Sequence, residues 1–313
     1  MSDWKILVSD GLSAGGLALL KASAQVDDKP GISADELLAT AAEYDAFVVR
    51  GRTKVTPAVF EAATKLKVVG RAGVGVDNID LSAARAKGVT VVNAPKSTSL
   101  AVAELAIGLM FAVARRIPFA DATMKQGQWE KKKLEGIELA GKTLGVIGMG
   151  NIGSAVAQRC AALGMQVIGY DPLVPAEEIS RRYAGPVTLE NLYARADFIT
   201  IHIPLTTDSK NMISGQAFAQ MKPGVRLIDA ARGGVVDETA LLGALESGQV
   251  AAAALDVFAA EPPGLTALVA HPNVIATPHI GAQTEEAQTR AGDDIASEVL
   301  AALGGKALRW KLV

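Results

Sequence analysis

The stretch GKTLGVIGMGNIGSAVAQRC, residues 141–160, decides how this chain is read. TLGVIG is a short β-rich run, Gly148, Gly150 and Gly153 follow in the spacing GxGxxG, and NIGSAVAQRCAALG continues at helical spacing. In such a strand-turn-helix the first glycine allows the tight turn, the second lets backbone approach a pyrophosphate, and the third lets helix and strand pack closely. The anion rests on the helix N-terminus, with the amides of Asn151 and Ile152 as expected donors. Glycine-rich turns also arise for structural reasons alone. The next strand, MQVIGYDP, narrows the choice, because it ends in Asp171, 18 residues beyond Gly153. A carboxylate there accepts hydrogen bonds from the adenosine ribose hydroxyls and repels a 2′-phosphate. Pro172 and Leu173 bring no cation to receive such a phosphate, so the expected cofactor is NAD rather than NADP.

Outward from this motif, β-rich runs alternate with Ala-rich helical stretches. KILVSD, AFVVRG, KVVGRAG and VTVVNAP precede it, and FITIHIP, VRLIDAARGG, AAAALDVF and NVIATPHI follow the Asp171 strand. The pattern predicts an α/β protein of two Rossmann-like, doubly wound parallel-sheet domains, with ligands meeting the carboxyl ends of the strands. The expected division is a substrate-binding domain of residues 1–97 plus 284–313 and an NAD-binding domain of residues 98–283, with the active site in the cleft between them. SLAVAELAIGLMFAVARRI, 99–117, is apolar nearly all round and predicts one long helix, ended by Pro118 and buried on every side. TEEAQTRAGDDIASEVLAAL, 284–303, predicts an acidic-started helix that returns the chain to the first domain.

Composition agrees with that class. Half of the 313 residues are apolar and a fifth are charged, enough for roughly two domains. With 31 Lys and Arg against 33 Asp and Glu, nothing draws the chain broadly to nucleic acid or an anionic membrane. The single Cys160 cannot form an internal disulfide and reads as core packing. No apolar run reaches the ~18 residues of a membrane span, and the start carries no basic leader, so a cytoplasmic location is expected. No His, Cys and carboxylate cluster has metal-ligand spacing, and no metal is expected.

Three charged residues stand at strand ends or loops of the second domain: Arg232 in DAARGGVVDE, Glu261 in DVFAAEPP and His279 in ATPHIGA. Interconverting a 2-hydroxy acid and its keto acid needs a cation to hold the carboxylate, a proton donor beside the carbonyl oxygen and a hydride carrier fixed on one face. Arg grips a carboxylate with a two-pronged fork, and a carboxylate beside a histidine orients the ring and favours its charged form. Taken singly, Arg232 reads equally as a helix cap or a partner of Asp237, and Glu261 as a loop carboxylate. His202, within a strand, reads as a packed histidine with one hydrogen bond.

Through VIGMGNIG, YDP, ARGGVVDE, ALDVFAAEPP and TPHIGA, in that order and spacing, the chain resembles the D-isomer-specific 2-hydroxyacid dehydrogenase family, and VVRGRTKVT and VVGRAGVGVDNID extend the likeness. The resemblance implies that Arg232 binds the substrate carboxylate, that His279 is the acid/base with Glu261 as its partner, and that Asp256 holds the nicotinamide carboxamide. It places Ala230, Ala231 and Arg232, and His279 through Gly281 and Ala282, along the nicotinamide, with Ile203 and Pro204 near the cofactor. It assigns Gly73, Val74 and Gly75 to the substrate, and Arg50 and Arg71 to a substrate phosphate. The implied reaction is oxidation of 3-phosphoglycerate with NAD by a homodimer or homotetramer. Other acids (hydroxypyruvate, glyoxylate or a sulfonated acid) remain open, as does an NAD(H)-sensing corepressor-like binding protein. The chain departs from the family's habits at KSTS, 96–99, at Asp229, where Asn is common, and at Gln283, where a small hydroxyl residue is usual.

Overall fold

The structure is a computed structural model and describes residues 3–313. The chain forms two compact units, Met1–Ser99 with Ala282–Val313, and Leu100–Gly281.

The first unit contains β1 (Lys5–Val8), α1 (Ala14–Lys21), β2 (Gln25–Asp28), α2 (Ala34–Thr40), β3 (Ala46–Val49), α3 (Pro57–Ala62), β4 (Val68–Arg71), α4 (Leu81–Lys87) and β5 (Thr90–Asn93). Its five strands are parallel in the order β2-β1-β3-β4-β5. Alternate residues of the buried strands face opposite sides, as the pleat requires. Leu7, Phe47, Val49, Val69 and Val91 pack with Leu37 of α2 and Phe60 of α3. Ile6, Val8, Val48, Val68 and Val92 meet Leu20 of α1 and Ile295 and Val299 of the closing helix. Side chains of Ser13, Ser33 and Asp80 cap α1, α2 and α4, each accepting the backbone N–H three residues on.

The second unit runs α5 (Ser99–Arg115), α6 (Ile117–Lys125), β6 (Thr143–Ile147), α7 (Asn151–Ala162), β7 (Gln166–Tyr170), α8 (Ala176–Arg181), β8 (Gly185–Pro186), α9 (Leu189–Arg195), β9 (Phe198–Ile201), α10 (Gly215–Gln220), β10 (Val225–Asp229), α11 (Glu238–Glu246), β11 (Val250–Leu255) and β12 (Val274–Ala276). α12 (Glu285–Leu303) follows and belongs to the first unit. The second sheet is also parallel, in the order β12-β11-β10-β9-β6-β7-β8. One face packs against α9, α10 and α11, the other against α5 and α7 with Cys160 fully buried. Two strand neighbours of β6 lie on opposite sides of it, β7 and β9, so chain order reverses there. Ligands of doubly wound sheets bind where that reversal opens a crevice at the strand carboxyl ends.

The expected helix over 99–117 divides in two. Arg116 takes a left-handed conformation, φ 53°, and Pro118 then sits in the first turn of α6 rather than ending the element. A proline lacks an N–H that a first turn leaves unpaired in any case, so it starts a helix as readily as it stops one. Nor is α5 buried on every side, since Phe111 is exposed within this chain. The helix expected to close the chain spans Glu285–Leu303, capped by Thr284. Among the described residues, no helix is long and apolar enough to cross a membrane, and no group of three or more His, Cys, Asp or Glu could hold a metal ion.

Candidate functional site

The loop between β6 and α7 has the form of a dinucleotide cradle. Gly148 has φ 93°, and a Cβ there would lie 2.5 Å from the carbonyl oxygen of His202 and against Ile203. At Gly153 a Cβ would fall 1.9 Å from the Gly148 carbonyl oxygen, so only glycine lets the helix seat on the loop. Gly150 is different, with nothing within 4 Å of its absent side chain, which leaves open space where the pyrophosphate would approach. Gly150 is also the N-cap of α7, so the helix begins at Asn151 and Ile152 directly after the turn. These features fit NAD, and Gly148 through Gly153 would hold its pyrophosphate.

Asp171, directly after β7, is tied to the same loop. Its Oδ2 accepts from Met149 N–H at 2.8 Å and its Oδ1 from Leu173 N–H at 2.9 Å, while the Arg182 guanidinium donates to the Met149 carbonyl. The carboxylate lines a cavity of about 610 Å³ with Tyr170, Val174, Ile179, Pro186 and Val187, a largely apolar recess suited to an adenosine. Ile203 and Pro204 follow β9, the strand on the other side of β6, and the Pro204 carbonyl accepts from Ser209 Oγ at 2.7 Å. His202, just before them, shares one side-chain hydrogen bond with Thr200 Oγ1 at 2.9 Å, and burial pushes its pKa down to about 3. It is a neutral packed histidine, as its strand position suggests.

Arg232, Glu261 and His279 follow the carboxyl ends of three adjacent strands, β10, β11 and β12. Glu261 and His279 meet directly, with Nδ1 2.8 Å from Oε2, both side chains partly exposed. Glu261 Oε1 accepts from Phe258 N–H at 3.1 Å, which fixes the carboxylate that faces the ring. Gly233 brings the Arg232 turn onto the same segment, since a Cβ there would lie 1.8 Å from the Phe258 carbonyl oxygen. Arg232 itself donates from Nη1 to the Ala231 carbonyl at 2.7 Å, and Ala230 and Ala231 are buried behind it. The alternative partner considered for Arg232, Asp237, is the N-cap of α11, its Oδ1 accepting from Ala240 N–H at 3.0 Å.

Asp256 is 1% exposed and accepts three hydrogen bonds: from Thr277 Oγ1 at 2.6 Å, Ile280 N–H at 2.8 Å and Gly281 N–H at 2.8 Å. It thereby clamps the loop that carries His279. A role in holding that loop is visible here in addition to the carboxamide role the resemblance implies. Ala282, assigned with Gly281 to the cofactor, falls in the first unit, where its carbonyl accepts from Gln288 Nε2 at 2.6 Å.

In the first unit, chain order reverses between β1 and β3, and Arg50 follows β3. Asp10, after β1, accepts from Arg50 N–H at 2.8 Å, Thr53 N–H at 3.1 Å and Thr53 Oγ1 at 2.6 Å. Burial raises the Asp10 pKa, but these bonds and the Arg52 charge outweigh it and hold the carboxyl below its usual range. Asn78 completes the loop by donating to the carbonyls of Arg50 and Thr53. The half-buried Arg50 guanidinium has its pKa lowered by burial, against a raising influence from Asp10. Arg71 ends β4, and its guanidinium lies where a Cβ on Gly73 would be, 1.5 Å from Nη1, so Gly73 at φ 147° makes room for it. The Val74 carbonyl accepts from Asn93 Nδ2 at 2.7 Å, and Gly75 continues that loop. The unusual KSTS turn is largely buried and bonded to its own backbone, with Ser97 Oγ donating to Ala94 O at 2.9 Å.

Asp10, Asn78, Gly233 and Thr277 escaped the sequence reading. Asp10 and Gly233 had a signal, an acid after the first strand and a glycine directly after Arg232, whereas Asn78 and Thr277 act through contacts that only folding creates.

Comparison with known proteins agrees with this geometry. Residues 107–281 match the D-isomer specific 2-hydroxyacid dehydrogenase family, NAD binding domain. The chain is 49% identical over 305 residues to D-3-phosphoglycerate dehydrogenase of Rattus norvegicus, covering 97% of this chain and 57% of that protein. It is 49% identical over 303 residues to D-3-phosphoglycerate dehydrogenase of Methanocaldococcus jannaschii, covering 96% of this chain and 58% of that one. The chain thus spans less than three-fifths of the length of these curated relatives. A glyoxylate reductase from Paecilomyes thermophila superposes with a TM-score of 0.91 at 28% identity, covering 100% of this chain and 99% of that structure. The chain belongs to the D-isomer specific 2-hydroxyacid dehydrogenase family and carries its NAD-binding domain.

Proposed function

We propose that this chain oxidises D-3-phosphoglycerate to 3-phosphohydroxypyruvate with NAD, with Arg232, Glu261 and His279 as the reacting machinery. The observation that carries the reading is the 2.8 Å pairing of His279 Nδ1 with Glu261 beside the Arg232 turn, at strand ends of an NAD-binding domain. When bound, NAD supplies the acceptor for the hydride that leaves C2 of the acid. Arg232 holds the substrate carboxylate with charge-assisted bonds and fixes C2 in place. With Nδ1 engaged by Glu261, the Nε2 atom of His279 takes the C2 hydroxyl proton as the C2–O bond becomes a carbonyl, and returns it in reduction. Glu261 orients the ring and complements the charge it gains. Asp256 would hold the carboxamide while keeping the 277–281 loop in place, and Asp171 would receive the ribose hydroxyls. Arg50 and Arg71, with Gly73 to Gly75, would receive the phosphate end.

The likeness to a glyoxylate reductase favours a second reading with the same chemistry, reduction of a short 2-keto acid such as glyoxylate or hydroxypyruvate. NADH formation or consumption on a panel of phosphorylated, sulfonated and unsubstituted acids separates the two. Preference for 3-phosphoglycerate supports the first; comparable turnover of glyoxylate with none of the phosphorylated acid replaces it by the second. We further place the protein in the cytoplasm, in keeping with relatives named as metabolic dehydrogenases, and as a homodimer or homotetramer, the latter supported by the exposed apolar Phe111, Ile117 and Met124 on α5 and α6. Sedimentation of the purified chain tests it, and a monomer at working concentration would remove it.

A further inference from the structure

The peptide that joins Phe258 to Ala259 is held on two sides by residues that follow Arg232 in the chain. A Cβ on Gly233 would lie 1.8 Å from its carbonyl oxygen, 2.0 Å from its carbonyl carbon and 2.7 Å from its nitrogen, so the bare glycine backbone packs directly against it. The N–H of the same peptide donates to Glu238 Oε1 at 2.6 Å. A peptide unit is planar, so contact with its carbonyl and its N–H together sets its orientation. The amide one residue earlier, Phe258 N–H, is the donor that fixes Glu261 Oε1 at 3.1 Å, and Glu261 Oε2 meets His279 Nδ1 at 2.8 Å. An unbroken line of contacts thus runs from Glu238 through one peptide and one carboxylate to the imidazole.

Glu238 is the fixed end of that line. It opens α11 directly after the N-cap Asp237, whose N–H donates to Ile213 O at 3.0 Å, while Ile213 N–H donates to Val235 O at 3.1 Å. Ile213, Val235 and Val236 are buried in the core of this unit, and Leu241 and Leu245 of α11 are buried with them. The loop that Glu238 grips has no such support. Beyond Phe258 the chain leaves the core, with Ala259, Ala260 and Glu261 exposed and in neither helix nor strand. The helix is therefore the rigid partner in the contact, and the loop is what it holds.

We propose that Glu238 is a positioning residue for the acid/base pair: as acceptor for Ala259 N–H, its side-chain oxygen holds the 258–261 turn so that Glu261 reaches His279. This role presupposes the assignment of Glu261 and His279 given above. Its physical basis is the length of the side chain and the oxygen at its end, not the charge. Proton transfer depends steeply on placement, because the ring must be oriented toward the C2 oxygen when hydride leaves. A turn freed at Ala259 leaves Glu261 and His279 both present but less often paired, so the loss falls on the chemical step and spares cofactor affinity.

Three replacements separate reach from charge. E238Q keeps an oxygen at the same distance and loses the charge, E238D keeps the charge and draws the acceptor back by a methylene, and E238A removes both. Each is compared with wild type in a single turnover of the chain saturated with NADH, using whichever of 3-phosphohydroxypyruvate and hydroxypyruvate is turned over, with NADH affinity from fluorescence and Tm from thermal unfolding. E238D and E238A should slow the single turnover roughly threefold to tenfold, the range expected of one hydrogen bond, while E238Q stays within about twofold of wild type and NADH affinity is unchanged in all three. In an E261A background, adding E238A should alter the rate by less than about twofold, since the carboxylate through which Glu238 acts is gone. A Glu238 that only supported the fold would lower Tm and keep its full effect on rate in that background. E238Q as slow as E238A, an undiminished loss on top of E261A, or a wild-type rate in E238D or E238A would overturn the proposal and leave the dehydrogenase reading intact. If E238A does not fold, E238D takes its place in both comparisons. A wild-type rate in E261A, or turnover of neither acid by the unmodified chain, would overturn both.

Discussion

His279 has a left-handed backbone, φ 51°, a conformation that costs a non-glycine side chain on the order of 1 kcal/mol or more. The surrounding bonds keep it there: its N–H donates to Thr277 O at 3.0 Å, Asp256 grips the residues on either side, and Glu261 holds the ring. His279→Ala removes the proton carrier and should lower kcat about a hundredfold or more while NADH binds nearly as before. Undiminished kcat in that variant, with binding followed by NADH fluorescence, would exclude the acid/base role. Asp171 makes a different prediction. On the proposed assignment its carboxylate receives the ribose hydroxyls, so NAD should exceed NADP in kcat/KM, and Asp171→Ala should narrow the gap by removing the repulsion of a 2′-phosphate. The measurement is kcat/KM with both cofactors; an unchanged ratio would move the ribose away from Asp171. At this scale the sequence was informative where chemistry itself selects the residue type. The pairing of Glu261 with His279 was legible because their motifs set both residue types, whereas Asp10 and Asn78 hold the Arg50 loop by long-range bonds to backbone that leave no local pattern.

Among elements, the turn from β6 to α7 separates two functions of glycine that the same motif hides. Gly153 cannot accept a methyl group without displacing the Gly148 carbonyl, so Gly153→Ala should lower Tm, at an overpacking cost of roughly 1–3 kcal/mol, and weaken NADH binding as well. Gly150 has open space at the same atom and negative φ, −72°, so Gly150→Ala should leave Tm nearly unchanged and weaken NADH binding alone. Thermal unfolding without ligand and a fluorescence titration distinguish the two; equal losses of Tm in both would show that the open space at Gly150 has no bearing on ligand approach. The buried strands were legible from their apolar runs, but β2 and β8 were not. β2 reads QVDD and β8 is only Gly185–Pro186, both at sheet edges, where one side of the strand needs no apolar partner and a proline is tolerated. The break at Arg116 was missed for a related reason: an apolar run carries no mark of where one helix yields to another, and Pro118 is compatible with an end or a beginning.

At the scale of the whole molecule, the residues assigned to the reaction come from both units, Arg232, Glu261 and His279 from one and Arg50 and Arg71 from the other. That division gives a test in which substrate length reports on each unit separately. Every 2-hydroxy acid presents the carboxylate assigned to Arg232, whereas on the proposed assignment only a phosphorylated one engages Arg50 and Arg71. Charge-assisted hydrogen bonds contribute roughly 1.5–3 kcal/mol each, so Arg50→Ala or Arg71→Ala should lower kcat/KM for 3-phosphoglycerate by about tenfold to more than a hundredfold. The loss should appear mainly in KM, since these bonds are made equally before and during hydride transfer. The same variants should hardly change kcat/KM for an unphosphorylated acid, whereas Arg232→Ala should damage both substrates. Because Asp10 and Asn78 bind the backbone rather than the guanidinium of Arg50, truncating Arg50 leaves its loop bonded and the comparison clean. Equal losses on both substrates in Arg50→Ala and Arg71→Ala would remove the phosphate from those arginines and leave the shared 2-hydroxy acid chemistry to be explained by Arg232, Glu261 and His279 alone.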